Sequence, residues 1–354
     1  MLPFPTEVLD LLPSFAEAHN GTLLAAITPV AANPPFYHTT RQHIFDFISD
    51  RYLALAAPVV VYWVLSSVFH ALDTLELPYF EARRIHESAE TKSKNRAGLW
   101  QVIRAVLFQQ VIQTAVGLIW VDSDEEILAH QVSVDHVAAM RFLAPRVADV
   151  VLLIVGPKYG VKMLESHGQE LVNFVYWWGI PIVQMFAGFC IIDTWQYFLH
   201  RAMHTYPLLY RQFHSHHHRL YVPFAFGALY NHPVEGFLLD TLGAAIAELL
   251  TFMTVRQAIL LFTLSTWKTV DDHCGYKLWW DPCQLLFANN ADYHDIHHQA
   301  YGIKANFAQP FFTNWDYLLG TQMTRAQANA RRARPAVDAK QAAKDERWPP
   351  LKDE

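Results

Sequence analysis

The strongest constraint on this chain is a set of apolar runs long enough to cross a bilayer. The clearest, LALAAPVVVYWVLSSVFHAL, lies between Tyr52 and Leu72. As a helix rising about 1.5 Å per residue it crosses a hydrocarbon core of ~30 Å, and Pro58 can kink it without forbidding it. A second run, Gly98 to Val121, is interrupted by Arg104, Gln109, Gln110 and Gln113, so those groups are expected to face other helices. A third extends from Leu171 to Leu199, with Tyr176, Trp177 and Trp178 at one interface and Gly179 and Pro181 as kink positions. Phe237 to Val270 reads as a hairpin of two short spans or a re-entrant pair. VADVVLLIVG, within residues 137–165, is too short to span and reads as an interfacial or buried helix.

Composition agrees: 52% of the residues are hydrophobic and only 17% charged. The opening MLPFPTEVLDLLPSF lacks the form of a cleavable signal peptide, so insertion is expected from the internal segments. The loop after the first run carries Arg83, Arg84, Lys92, Lys94 and Arg96. The positive-inside rule makes that loop cytosolic and the N-terminus lumenal, where the N-x-T sequon at Asn20 is a candidate glycosylation site. The net charge is -6 and the basic residues are scattered along the chain, which argues against nucleic-acid binding. Three cysteines without close spacing indicate neither a disulfide framework nor a thiolate zinc site.

Histidine is the abnormal residue. The chain has 19, and 11 of them lie between His200 and His298. Three clusters stand out: His200 and His204 in HRAMH, His214, His217 and His218 in HSHHH, and His294, His297 and His298 in HDIHH. On a helix, positions i, i+3 and i+4 share a face, so each cluster aims its imidazoles one way. His273, in DDHCGY, is the natural ninth. So many ligands exceed what one catalytic ion takes and suit two ions with open positions. Imidazole alone leaves zinc, iron and copper open.

Those spacings, with DTWQYFLHRAMH, YVPFAFGALYNHPVEGFLLDTLG, TVDDHCGY and NNADYHDIHHQAYGIKANFAQPFF, resemble the fatty acid hydroxylase superfamily, and within it the sphingolipid (sphinganine or dihydroceramide) 4-hydroxylases. The likeness covers about Tyr176 to Leu319. It implies an all-α integral membrane protein with roughly four to five transmembrane or re-entrant helices and a cytosolic histidine-rich di-metal cap. Its segments are 1–50 lumenal or interfacial, 51–170 N-terminal membrane helices, 171–320 catalytic, and 321–354 a polar, partly disordered cytosolic tail.

The resemblance further implies that His200, His204, His214, His217, His218, His273, His294, His297 and His298 hold two iron ions, although a purified protein could carry zinc. Thr269 stands where a tenth ligand is expected; water, Asp272 or His232 would complete the shell. His216 and His232 are expected beside the ligands or at a helix start. Asp193, Asp271, Asp272, Asp292 and Asp295 are placed to orient imidazoles, or else to cap helices and pair with arginines. Trp195, Tyr221, Phe224, Phe226, Trp267 and Trp315 are candidates to line an acyl channel.

The reaction implied is insertion of one oxygen atom from dioxygen at carbon 4 of a sphingoid lipid. The chain has neither a haem motif of the H-P-G-G type nor a G-x-G-x-x-G loop, so electrons are expected from NADPH or NADH through cytochrome b5 and its reductase, in the endoplasmic reticulum membrane. Two rivals within the superfamily are sterol methyl oxidation and lipid desaturation. A rival of another class is a histidine-rich metal transporter, which would carry its ligands near the midplane of its spans.

Overall fold

The long apolar runs fold as helices. The computed structural model describes residues 21–39 and 41–333; Asn20 and residues 334–354 lie outside them. The helices used below are α1 (Gly21–Ile27), α2 (Asp50–Leu75), α3 (Ser88–Lys94), α4 (Leu99–Trp120), α5 (Asp124–Val132), α6 (His136–Val155), α7 (Pro157–Phe174), α8 (Ile180–Thr205), α9 (Leu242–Thr251), α10 (Val255–Asp272), α11 (Ala291–His298) and α12 (Arg325–Ala333). Among the described residues there is no sheet, only two isolated β-bridges. Three helical runs are long and apolar enough to cross a membrane: α2, α4 and the continuous run Pro157–Thr205.

That third run begins 14 residues before the sequence-level boundary at Leu171, because Pro157 starts α7 at a position where its missing N–H costs nothing. A π-turn, Val175–Gly179, links α7 to α8. Pro181 explains it, since a proline has no N–H to continue the ladder and the carbonyl of Trp177 is left over. The Tyr37 hydroxyl donates to that carbonyl. The short run at 147–156 belongs to a longer helix than expected, the 20-residue α6, which accommodates Pro145, Arg141 and Arg146. It starts at Asp135, whose side chain accepts from the Ala138 N–H at 2.9 Å, and stops at Gly156, whose φ of 84° suits glycine.

The described residues divide into two compact units, one of 21–59, 114–192 and 244–264, the other of 60–113, 193–243 and 265–333. In the first, Met140, Ala144, Val147 and Val151 of α6 pack against Leu164 and Val172 of α7 and against Leu23 and Ile27 of α1. Arg256, at the start of α10, donates to Asp50 at 2.6 Å and to the carbonyls of Thr39 and Arg41 at 2.7 and 2.8 Å. The second unit is centred on Tyr62 and Phe69 of α2, Val102 and Val106 of α4, and Leu220, Phe226, Tyr230, Val270 and Tyr276. Its spans also carry polar contacts, since Trp63 donates to Gln110 at 2.9 Å and Tyr62 to the carbonyl of Phe226 at 2.8 Å. Gln110 thus has a protein partner, as does Gln109, which donates to Asp240 at 3.4 Å. Arg104 is exposed and donates back to the carbonyl of Trp100 at 3.3 Å, against the expectation that it faces another helix.

The segment expected as hairpin or re-entrant pair is the π-turn Phe237–Thr241 followed by α9 and α10, with Phe252 at φ 54° in the bend. The start of the polar tail is ordered: α12 is fastened by Arg325, which donates to Asp292 at 3.0 Å and to Asp295 at 2.8 Å.

Candidate metal centre

Every histidine cluster belongs to the second unit, and four local structures present them. His200 and His204 occupy the last two turns of α8. His214, His217 and His218 lie on a 3-10 turn, His214–Arg219, where an α-helix is expected from the spacing. At three residues per turn His214 and His217 nearly eclipse, and their rings stack at 5.6 Å with 22° between planes. His273 follows the end of α10, and α11 carries His294, His297 and His298 behind an Asn290 cap that accepts from the Tyr293 N–H at 3.1 Å.

The nine rings form two groups. His200, His204, His214, His218 and His297 make a five-membered group; His217, His273, His294 and His298 make a four-membered one. Within each group the candidate ligand atoms lie within 4.8 Å of one another. The HSHHH turn and α11 each contribute to both groups, which binds the two into one centre.

The hydrogen bonds fix the ring tautomers. Nδ1 of His200, His217, His273, His297 and His298 meets the carbonyl of Phe307, Tyr230, Thr269, Ala305 and Leu220 respectively, at 2.8, 3.3, 2.8, 2.7 and 2.7 Å. A carbonyl only accepts, so these Nδ1 atoms carry the proton and the Nε2 atoms carry lone pairs. Yet Nε2 of His217 stands 3.1 Å from that of His298 and 3.4 Å from that of His273. In the other group Nε2 of His214, whose Nδ1 meets Glu235, is 3.0 Å from that of His200. Lone pairs aimed at one another without a proton repel. Nitrogens each about 2.0–2.1 Å from a shared ion, with an angle near 90°, would be about 3 Å apart. The donor set therefore fits one transition-metal ion per group.

Electrostatics keep the rings available. Burial, before any other cause, pushes His214 down to about 3, His217 to about 4 and His273 to about 3, so all three are neutral near pH 7. His218, His294, His297 and His298 are held well below the ordinary range by burial and then by their neighbours. Metal ligation needs this neutral form.

The five aspartates bond elsewhere. Asp193 accepts from the Phe311 N–H at 3.0 Å and from that of Phe312. Asp271 accepts from Gln284 at 3.1 Å, and Asp272 pairs with Lys268 and accepts from Asn289 at 3.0 Å. Asp292 pairs with Arg325, and Asp295 with Arg325 and His86. None of them hydrogen-bonds a ring of the two groups, and Asp292 and Asp295 follow the arginine-pairing alternative. The carboxylate that orients a ring is Glu235, bonded to Nδ1 of His214. It stands in NHPVEG, three residues after His232, and no metal-ligand spacing marks it. His86 was equally illegible: it is buried between Glu90 at 2.9 Å and Asp295 at 2.7 Å, although it comes from the basic loop.

His216 stacks on Tyr230 at 4.4 Å, and His232 caps the turn at Pro233, its Nδ1 accepting from the Val234 N–H at 3.2 Å; neither joins a group. Asp272 does not join either. Thr269 serves the centre through its carbonyl, while its hydroxyl donates to Ser265.

Of the aromatic candidates, Phe224 lines a cavity of about 500 Å³ with His70, Asp73, His86 and Asp295. Phe226 is core, and Trp315 packs on Tyr197 and Phe198. Trp195 donates to the carbonyl of Leu238 at 2.7 Å and rests on Gly243, where a Cβ would come within 2.8 Å of its ring. Tyr221 lies under Lys94, and Trp267 is 37% exposed.

Comparison with known proteins gives this geometry a setting. The model of the family described as fatty acid hydroxylase matches residues 185–321, which include all nine histidines. The sphingolipid C4-hydroxylase SUR2 of Saccharomyces cerevisiae is 49% identical over 281 residues, 79% of this chain and 74% of the relative. Sphinganine C4-monooxygenase 1 of Arabidopsis thaliana is 39% identical, over 78% of this chain and 89% of its own length. The very-long-chain aldehyde decarbonylase GL1-9 of Oryza sativa subsp. japonica is also 39% identical, over 82% of this chain and 98% of the relative. No solved structure matches the chain. Spanning helices, paired histidine groups and these likenesses together establish that the chain belongs to the fatty acid hydroxylase family.

Proposed function

We propose that this protein is a membrane sphingolipid C4-hydroxylase that inserts one oxygen atom of dioxygen at carbon 4 of sphinganine or dihydroceramide. The observation that carries the reading is the convergence of nine imidazoles into two neutral groups, in a chain 49% identical to a sphingolipid C4-hydroxylase. The nine histidines would hold two iron ions. Bound there, the pair would supply the two-electron activation of dioxygen that an unactivated C–H bond requires.

The chain's own work is positioning. The carbonyls of Phe307, Tyr230, Thr269, Ala305 and Leu220 hold five rings in one tautomer, and Glu235 holds a sixth, so the Nε2 lone pairs are aligned in advance. His200, His204, His214, His218 and His297 would hold one ion and His217, His273, His294 and His298 the other. The apolar ring of Phe307 lies 5.9, 5.4 and 5.8 Å from the rings of His200, His204 and His297 and limits water beside them.

The basic loop Arg83–Arg96 supports a cytosolic centre in the endoplasmic reticulum membrane. Electrons would come from NADPH or NADH through cytochrome b5 and its reductase, with zinc as a replacement metal after purification.

The test is product analysis on membranes containing the full chain, offered sphinganine, a 4-methyl sterol and a long-chain fatty aldehyde in parallel. The 4-hydroxylated sphingoid base is the expected product. Oxidised sterol or alkane without it would overturn the reading in favour of a different activity of the same family.

A further inference from the structure

Basic side chains that are far apart in the sequence meet on one surface of the second unit. The chain carries a net charge of -6, yet outside α4 the described residues of this unit expose nine lysines and arginines against two carboxylates, Glu76 and Glu87. The remaining acids of this unit are buried or half-buried, several of them in ion pairs.

The core of this surface is Lys94, Arg96, Arg219, Arg331 and Arg332. The Arg96 N–H donates to the carbonyl of Arg219 at 2.8 Å, and Lys94 lies 4.9 Å over the ring of Tyr221. Arg332 comes within 3.9 Å of Glu90, the carboxylate that Lys94 also holds, and Arg331 donates to the carbonyl of Tyr301 at 3.3 Å.

The patch lies against the metal centre. Arg219 is followed by Leu220, whose carbonyl accepts Nδ1–H of His298 at 2.7 Å. The next carbonyl, of Tyr221, accepts from Gln299 at 2.9 Å. One residue and one hydrogen bond therefore separate an exposed arginine from a ring of the four-histidine group.

We propose that this patch docks a one-electron carrier protein with a carboxylate-rich face, and that Leu220 and His298 form its short route inward. The inference rests on the hydroxylase reading for its chemistry. Hydroxylation balances as R–H + O2 + 2 electrons + 2 protons giving R–OH + H2O, so a carrier must be oxidised twice per turnover. Complementary charge would bring it to the patch and raise its association rate in a salt-dependent way. An anionic bilayer is the competing occupant. Segments 88–96, 219–221 and 325–332 expose no large hydrophobic side chain, whereas segments that lie in a lipid interface combine basic with large apolar residues.

The full chain, reconstituted in phosphatidylcholine vesicles, would be compared with a triple variant, Arg96→Glu with Arg219→Glu and Arg331→Glu. Cytochrome b5 is the probe. Its binding is read by co-sedimentation, and, with cytochrome b5 reductase added to pass on the electrons of NADH, product formation is followed against its concentration and against salt. Chemically reduced protein exposed to dioxygen gives a single turnover that needs no carrier. The variant should require about tenfold more cytochrome b5 or greater, show a weaker salt dependence and keep its single turnover. Unchanged binding of cytochrome b5 by the variant would overturn the proposal. So would a defect that follows the phosphatidylserine content of the vesicles instead of the carrier. If the unaltered chain made no product in a single turnover, the hydroxylase reading would fail, while co-sedimentation would still decide the docking surface.

Discussion

Glu235 accepts Nδ1–H of His214, and among the described residues it is the only carboxylate that touches one of the nine rings. The other fixed Nδ1 atoms meet neutral carbonyls. Glu235 is fully buried, and its second oxygen has no hydrogen-bond partner. A carboxylate behind an imidazole makes it a stronger donor, so the five-histidine group should hold its ion more tightly than the four-histidine group. Glu235→Gln should weaken that ion about 10- to 100-fold. After dialysis against a chelator, elemental analysis should find a lower metal content than in the unaltered protein; equal retention would refute the asymmetry.

The two cluster-adjacent histidines outside the groups give a contrast within one motif. His298→Ala removes a nitrogen facing His217 and His294 at 3.1 Å each, and should lower metal content and abolish hydroxylation. His216→Ala loses only a ring contact with Tyr230 and should keep most activity. His232→Ala removes a helix cap and should cost about 1 kcal/mol of stability without loss of metal. Metal content and thermal midpoints of the three variants separate these roles.

Gly302 is a sharper packing test. A Cβ there would lie 1.8 Å from the carbonyl oxygen of Ile296, a backbone atom of α11 that cannot step aside. Gly302→Ala should displace the end of α11 with His297 and His298. Loss of folded yield or of metal is expected, and a fully loaded, active variant would contradict the close approach.

Protonation of the buried rings should weaken the metal-free protein as the pH falls below ~6.5. His214, His217 and His273 sit at about 3, 4 and 3 when folded, against ~6.5 unfolded. At these rings the unfolded chain binds more protons below pH ~6.5, so the stability they contribute is complete above that value and falls as pH drops toward the folded values. The thermal midpoint of metal-free protein in detergent should be lower at pH ~5 than at pH ~6.5. A midpoint that rose over that acid range would contradict neutral, buried rings.

The spans and the nine histidines were legible because each leaves a periodic or spaced pattern in one stretch of chain. Apolar length announced α2 and α4, and i, i+3, i+4 spacing announced α11. The HSHHH segment misled in conformation: its spacing suits an α-helix, but it closes as a 3-10 turn and divides its rings between two groups. Glu235, His86 and the Arg219 patch were hidden for a different reason. Each acts through a partner 21 to 213 residues away, as His86 does with Asp295 and Gln299, and pairing at that distance has no local signature. The five aspartates beside the ligands show the converse, since neighbours in sequence turned their carboxylates to N–H groups, amides, Arg325 and Lys268.

The most direct test of the account is isotopic. Cells lacking their own sphingoid C4-hydroxylase, expressing this chain and grown under 18O2, should accumulate a 4-hydroxylated sphingoid base carrying one 18O atom at carbon 4. The same cells expressing the His217→Ala or His298→Ala protein at equal level should not. Product labelled from water instead of dioxygen, or full labelling with either variant, would contradict the claim that these two histidine groups hold the metal that carries out the hydroxylation.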